Sequence, residues 1–180
     1  RRQRQMCIRD SLKTKIYAFD HNYNYDNMLE QQGYPMKIYE DENAASFLTG
    51  AAYHNYGGDR EELNNVNGKF PDKELIFTET SIGMWNDGRN LEKRLMEDME
   101  ETALGTVNNW CKAVIVWNLM LDNERGPNRE GGCQTCYGAV DIDRSDYKTI
   151  TRNSHYYIIG HLSSVAVSYT HLRAHETSAH

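Results

Sequence analysis

Four short apolar runs punctuate the chain, and each gives way abruptly to polar side chains. They are Lys15-Ile16-Tyr17-Ala18-Phe19 before Asp20-His21-Asn22, Ala51-Ala52-Tyr53-His54 before Asn55-Tyr56, Leu75-Ile76-Phe77 before Thr78-Glu79, and the stretch from Trp110 through Ala113-Val114-Ile115-Val116 to Trp117-Asn118. Runs of this length without strict alternation predict strands buried on both faces. Between them the periodicity lengthens. Tyr25 to Glu40, broken by Gly33 and Pro35, reads as a short helix and a loop. Asp41 to Leu48 opens on acidic residues and continues with helix formers until Gly50, and Arg60 to Asn67 is a charged helix. Asn90 to Asn108 is the clearest helix: Leu91, Leu95, Met99, Ala103, Leu104 and Val107 recur at spacings of three and four. Leu119 to Cys136 reads as a long loop, Tyr137 to Ile142 with Tyr147 to Ile150 as a small hairpin, and Asn153 to Ser163 as a last helix with Asn153 as its cap.

Alternation of strand and helix, four times over, predicts an α/β chain with parallel strands and right-handed crossovers. Four such units are half of an eight-stranded β/α barrel. In that architecture the chemistry sits at the C-terminal ends of the strands. A lone Glu after a strand is more often a solvated or capping residue, and a lone Trp more often packs in a core. Four polar strand ends in succession, expected on one rim, give Glu79 and Trp117 a different weight.

Composition narrows the partners. Residues 1–11 and 167–180 read as translations of sequencing-library adapters, so the biological segment is expected to be 12–166. Setting the ends aside removes Arg1, Arg2, Arg4, Arg9 and Arg173 but only Asp10 and Glu176. The rest is more acidic than the formal net charge of −6. An acidic chain without a basic patch speaks against nucleic acid as partner, and no apolar run is long enough for a membrane span. No protein partner is implied. Among the cysteines, Cys133-Gln134-Thr135-Cys136 lies in a Gly-rich loop with no second ligand pair nearby, which disfavours zinc. A local Cys133–Cys136 disulfide and a pair of free thiols both remain open, and the disulfide would suit a secreted or periplasmic protein. A redox role is disfavoured, because the pair does not open a helix. The tail pair His171 and His175 falls in the adapter-like end. No metal and no cofactor is implied: Asp20, His21, His54 and Glu79 are better explained by a sugar site.

Taken in order, Phe19-Asp20-His21-Asn22, Gly50-Ala51-Ala52-Tyr53-His54-Asn55-Tyr56, Phe70-Pro71-Asp72-Lys73, Phe77-Thr78-Glu79, Trp117-Asn118-Leu119 with Gly126-Pro127-Asn128, and Tyr156-Tyr157-Ile158-Ile159-Gly160-His161-Leu162-Ser163 resemble glycoside hydrolase family 30, the group of glucosylceramidases and endo-β-1,6-glucanases. The resemblance covers nearly all of residues 12–166. It implies strands five to eight of a (β/α)8 barrel, without the first half-barrel and the side β-sandwich. It places Glu79 at the nucleophile of a retaining β-glycosidase, and puts the acid/base Glu upstream of this chain. Trp117 and Asn118 would line the subsite of the attacked sugar. His54 and Tyr56 would hydrogen-bond Glu79 or the sugar, and Asp20 and His21 would bind hydroxyls or position the acid/base. Asn55 stands where the family carries an aromatic residue, so that wall of the site differs. Trp85, in the loop after Glu79, suits either an aglycone platform or loop packing, and His155 and His161 read as structural. The expected function is hydrolysis of β-linked glucosides, glucosylceramide-like or β-1,6-glucan, with no turnover by the chain alone. The alternative is a non-catalytic carbohydrate-binding relative.

Overall fold

In the computed structural model, residues 14–23 and 33–166 are described. They fall into two compact units. Residues up to Thr78, with Asn109–Ala113, form the first; Glu79–Asn108, with the chain from Val114 onward, forms the second. The adapter-like ends and the segment 24–32, where part of one short helix was expected, lie outside the described residues.

The first unit is built on a four-stranded sheet in which β1 (Tyr17–Asn22), β2 (Gly50–His54), β3 (Glu74–Glu79) and β5 (Cys111–Val114) lie side by side in chain order. β1 and β2 pair in parallel. All five residues of β2 are buried, as expected of an inner strand covered on both faces. Gly50 is obligatory by contact: a Cβ there would stand 1.8 Å from the carbonyl oxygen of Glu74. Three short helices serve as the connections, α1 (Tyr34–Tyr39), α2 (Glu42–Ala45) and α3 (Glu61–Lys69). Asp41 caps α2 by accepting from the Ala44 amide at 3.1 Å. Leu63 and Val66 of α3, Leu75 and Phe77 of β3, and Ala51 to Tyr53 of β2 make the core. Burying a side chain of Phe77's size contributes roughly 1.5–3 kcal/mol. The strand expected from Trp110 to Asn118 is ordered as a strand only over Cys111–Val114.

In the second unit β4 (Ile82–Gly83) pairs antiparallel with β7 (Cys136–Tyr137). A second small sheet runs in the order β6 (Met120–Asp122), β8 (Val140–Ile142), β9 (Ile150–Arg152). The expected hairpin is therefore rearranged. β8 pairs antiparallel with β9, but Cys136–Tyr137 leaves for β4, and Met120–Asp122, assigned to a loop by its sequence, adds a parallel edge to β8. Strands of two or three residues are too short for hydrophobic alternation to register.

The helix expected over Asn90–Asn108 begins as α4 (Leu91–Asp98), capped by the Asn90 side chain accepting from the Lys93 amide at 3.2 Å. It continues through a π-helical turn, Met99–Leu104, into α5 (Gly105–Val107). Its buried side takes in only part of the apolar stripe: Ala103 is fully buried, and Leu95, Met99 and Val107 are half-buried. Leu91 and Leu104 are exposed, whereas Arg94, Asp98, Thr102 and Thr106, spaced four apart, are buried. Asp98 is the reason. Its carboxylate receives the Arg94 guanidinium and the Ser154 hydroxyl, the latter from α6 (Ser154–Val165), which packs on this helix. Asn153 stands at the N-cap position of α6, but its side chain makes no cap there; it donates to Gly138 O and Asp141 Oδ2, both at 2.9 Å. No helix among the described residues is long and apolar enough to cross a membrane.

Candidate active site

The C-terminal ends of β1, β2 and β3 bring three polar side chains of the first unit together. Asp20 Oδ1 lies 3.1 Å from His54 Nε2 and accepts from the Thr78 hydroxyl at 2.6 Å. A backbone irregularity makes this possible. The β1–β2 register runs Phe19↔Ala52 and then His21↔Tyr53, leaving Asp20 as the extra residue of a bulge. Phe19 and Asp20 both take positive φ, 79° and 52°. For a bulky side chain such as Phe19 that is a strained conformation, and bulges of this kind re-aim side chains beside active sites. The bulge turns the Asp20 carboxylate toward its neighbours on β2 and β3. There the Thr78 hydroxyl, chiefly, holds the Asp20 carboxyl below its ordinary range against the opposing effect of burial, and His54 and His21 add lesser contributions in the same direction as Thr78.

The other members of the first unit's set surround His54. Its ring meets those of His21 and Tyr56 edge-on, with centroids 6.3 and 6.1 Å away. The Tyr56 amide donates to the buried Asn22 Oδ1 at 3.2 Å, and the Tyr23 amide donates to the His54 carbonyl at 3.1 Å. The backbone at the end of β2 is thereby tied to the end of β1. His54 itself is largely buried and Tyr56 about half exposed. Thr78 and Asn22 appeared in the sequence motifs with no role of their own. The structure gives each a contact to a site residue.

In the second unit Glu79 is half-buried and closes β3, immediately after Thr78. The Trp117 amide donates to the Thr80 carbonyl at 2.7 Å, which fixes Trp117 against the segment that follows Glu79. Asn118 takes a positive φ of 69°, a conformation to which Asn is suited. Its Oδ1 accepts from the Met120 amide at 3.1 Å, and its carbonyl accepts from Ala139 N at 2.9 Å. Part of the Asn118 amide thus shapes the turn in which it sits. Cys133 and Cys136 are joined by a disulfide, and Cys111 is a buried free thiol whose pKa burial pushes up to about 12.

A cavity of about 630 Å³ also opens in this unit, lined by Val114, Val116, Leu119, Ala139, Tyr157 and Ile159 among others. None of the strand-end residues described above lines it, and its walls are mostly apolar, with His155, His161, Ser163 and Ser164 among them.

The model of the glycosyl hydrolase family 30 TIM-barrel domain matches residues 19–166. The chain belongs to glycosyl hydrolase family 30. It is 30% identical over 158 residues to the endo-1,6-beta-D-glucanase BGN16.3 of Trichoderma harzianum, an alignment that covers 84% of this chain and 28% of that enzyme. A putative glucosylceramidase 4 of Caenorhabditis elegans is 28% identical over 118 residues, 58% of this chain and 21% of the relative. Among solved structures, the endo-beta1,6-glucanase BT3312 superposes with a TM-score of 0.87 at 74% identity, over 89% of this chain and 36% of that one. SrfJ from Salmonella typhimurium gives 0.73 at 27% identity, over 88% and 34%. The chain therefore spans about a third or less of the length of these relatives. The family agrees with the resemblance drawn from the motifs, and the α/β chain with its parallel pairing is TIM-barrel material.

Proposed function

We propose that residues 12–166 are strands five to eight of the barrel of a retaining β-glycosidase, with Glu79 as its nucleophile and β-1,6-linked glucan as its substrate. The observation that carries this reading is the position of Glu79 as the last residue of β3, directly after Thr78 in the chain. In a β/α barrel that rim carries the chemistry. The preference for β-1,6-glucan over glucosylceramide rests on the 74% identity to an endo-beta1,6-glucanase. Residues 1–11 and 167–180 are set outside the biological segment, and the Cys133–Cys136 disulfide supports a secreted or periplasmic location.

A carboxylate oxygen of Glu79 attacks the anomeric carbon. A C–O ester forms as the glycosidic C–O bond breaks, and the departing oxygen must be given a proton. Water then opens the ester and releases the sugar. Asp20, with His54 and Thr78, forms a fixed acceptor for sugar hydroxyls, with His21 and Tyr56 on its border. Trp117 stacks on the attacked ring and Asn118 holds one of its hydroxyls. The proton needs a second carboxyl about 5–5.5 Å from Glu79, and the family resemblance puts that Glu on strand four, outside this chain. Such a group supplies roughly 10²–10⁴-fold.

A pair of assays tests the reading. The 180-residue chain is expected to give no turnover of 4-nitrophenyl β-glucoside or β-1,6-glucan. A glucosyl fluoride, whose leaving group needs little protonation, is expected to release one equivalent of fluoride, and Glu79→Gln is expected to abolish that burst. Turnover of the natural glucan would refute the dependence on an upstream acid. A burst that survives in Glu79→Gln would remove Glu79 from its role, and sugar binding without any burst would favour the non-catalytic relative.

A further inference from the structure

We infer that Trp85 is a preorganised stacking platform for a second glucosyl ring of a β-glucan chain, a ring other than the one Glu79 attacks; the inference rests on the function proposed above. Trp85 lies six residues beyond Glu79, at most about 20 Å along an extended chain. It is 55% exposed, and its neighbour Met84 is 54% exposed. An indole left this open so close to a candidate nucleophile contributes little to the core, and its flat apolar face suits the C–H face of a sugar.

The mount is what separates Trp85 from an ordinary surface aromatic. Met84-Trp85-Asn86 is a single 3-10 turn springing from β4. Gly83 at its base is paired with Cys136 of β7, and the Met84 amide donates to the Thr135 carbonyl at 3.0 Å. The partner strand is thus held by the Cys133–Cys136 disulfide next to these bonds. Asn86 Oδ1 accepts from the Gly83 amide at 3.0 Å, and the Gly88 amide donates to the Gly83 carbonyl at 2.9 Å, which closes the turn from both sides. The six-membered part of the indole lies directly over the Gly83 α-carbon: a Cβ at that position would stand 1.9 Å from Cζ3 and 2.4 Å from Cη2. Glycine is therefore required at 83 by the ring above it, not by its extended φ of −171°. Beside the turn, Arg89 lies 4.1 Å from the Tyr137 ring centroid and donates to Asp141 at 3.0 Å, adding another tie between this segment and the strands. A platform held this way loses little freedom when a ring settles on it, and affinity gains by that much.

The test is an NMR titration of the 180-residue chain that follows its three indole N–H signals, from Trp85, Trp110 and Trp117. The probes are a β-1,6-linked glucotetraose and, separately, octyl β-glucoside. The tetraose is expected to shift the Trp85 signal. Trp85→Ala is expected to weaken tetraose binding roughly tenfold, and Trp85→Phe less. Gly83→Ala keeps the indole but pushes it off its seat, and is expected to weaken binding as well. Unchanged tetraose affinity in Trp85→Ala would overturn the inference. So would a Trp85 signal that answers octyl glucoside and not tetraose, because that marks a site for an alkyl aglycone. Fluoride release by the parent chain is scored separately: its absence would sink the proposed nucleophile, while the titration would still decide the platform.

Discussion

Asp20 shows how one residue's backbone decides its chemistry. In an unbroken strand it would alternate with Phe19 and His21; as the extra residue of a bulge it reaches across to β2 and β3. Removing the Thr78 hydroxyl removes the largest influence holding its carboxyl down. Thr78→Val is therefore expected to raise the Asp20 pKa toward the ordinary aspartate value, read from its carboxyl carbon in a pH titration by NMR, at a stability cost of no more than about 1 kcal/mol. An unchanged Asp20 titration would contradict the contact. The sequence placed Asp20, His54 and Thr78 at strand ends, which is enough to make them neighbours on a rim. The bulge itself was not legible: two consecutive positive φ values at a Phe and an Asp have no compositional mark, unlike a Gly.

At the scale of elements, β2 was the easiest part to read and the buried face of α4 was legible only in part. A strand buried on both faces announces itself by composition. The helix from Leu91 buries Ala103 and half-buries Leu95, Met99 and Val107 of its apolar stripe, yet its most buried row also includes Arg94, Asp98 and Thr102, because a buried ion pair and the N-terminus of α6 determine which side turns inward. Periodicity finds a helix; it does not see a partner that is polar. His155 of α6 is part of the same contact, 4.0 Å from Asp98, and burial, with Arg94 nearby, pushes its pKa down to about 4 despite the carboxylate. The sign follows directly. The folded state holds His155 neutral while the unfolded chain takes up a proton near pH 6.5, so this contribution is complete above about 6.5 and lost as pH falls toward 4, up to about 3 kcal/mol. Urea unfolding at pH 7 and pH 5 is expected to show a larger loss in the parent than in His155→Gln. Equal losses would contradict it. The comparison isolates His155 from Glu62, whose raised pKa works in the opposite direction. It also isolates it from Asp20 and Glu74, whose lowered pKa values act in more acid solution.

For the whole molecule, the family was legible because several of its motifs are strand ends, where chemistry constrains residue identity. The arrangement of β4 and β6 to β9 was not, because those strands are too short to show a period. The chain spans about a third or less of its relatives, and large apolar side chains such as Ile115, Leu119 and Val165 are at least half exposed. Exposed apolar side chains of this size favour association. The isolated chain is expected to bind a hydrophobic dye and to associate with rising concentration in sedimentation velocity; a monomer without dye binding at every concentration would contradict this. The proposed reaction turns on a single bond, that between a Glu79 carboxylate oxygen and an anomeric carbon. The most direct test is peptide mapping by mass spectrometry after incubation with 2-deoxy-2-fluoroglucosyl fluoride, which forms the ester and slows its hydrolysis. One fluoroglucosyl group is expected, on the peptide that contains Glu79, and none in Glu79→Gln. A sugar ester on any other carboxylate, or a label that persists in Glu79→Gln, would contradict it.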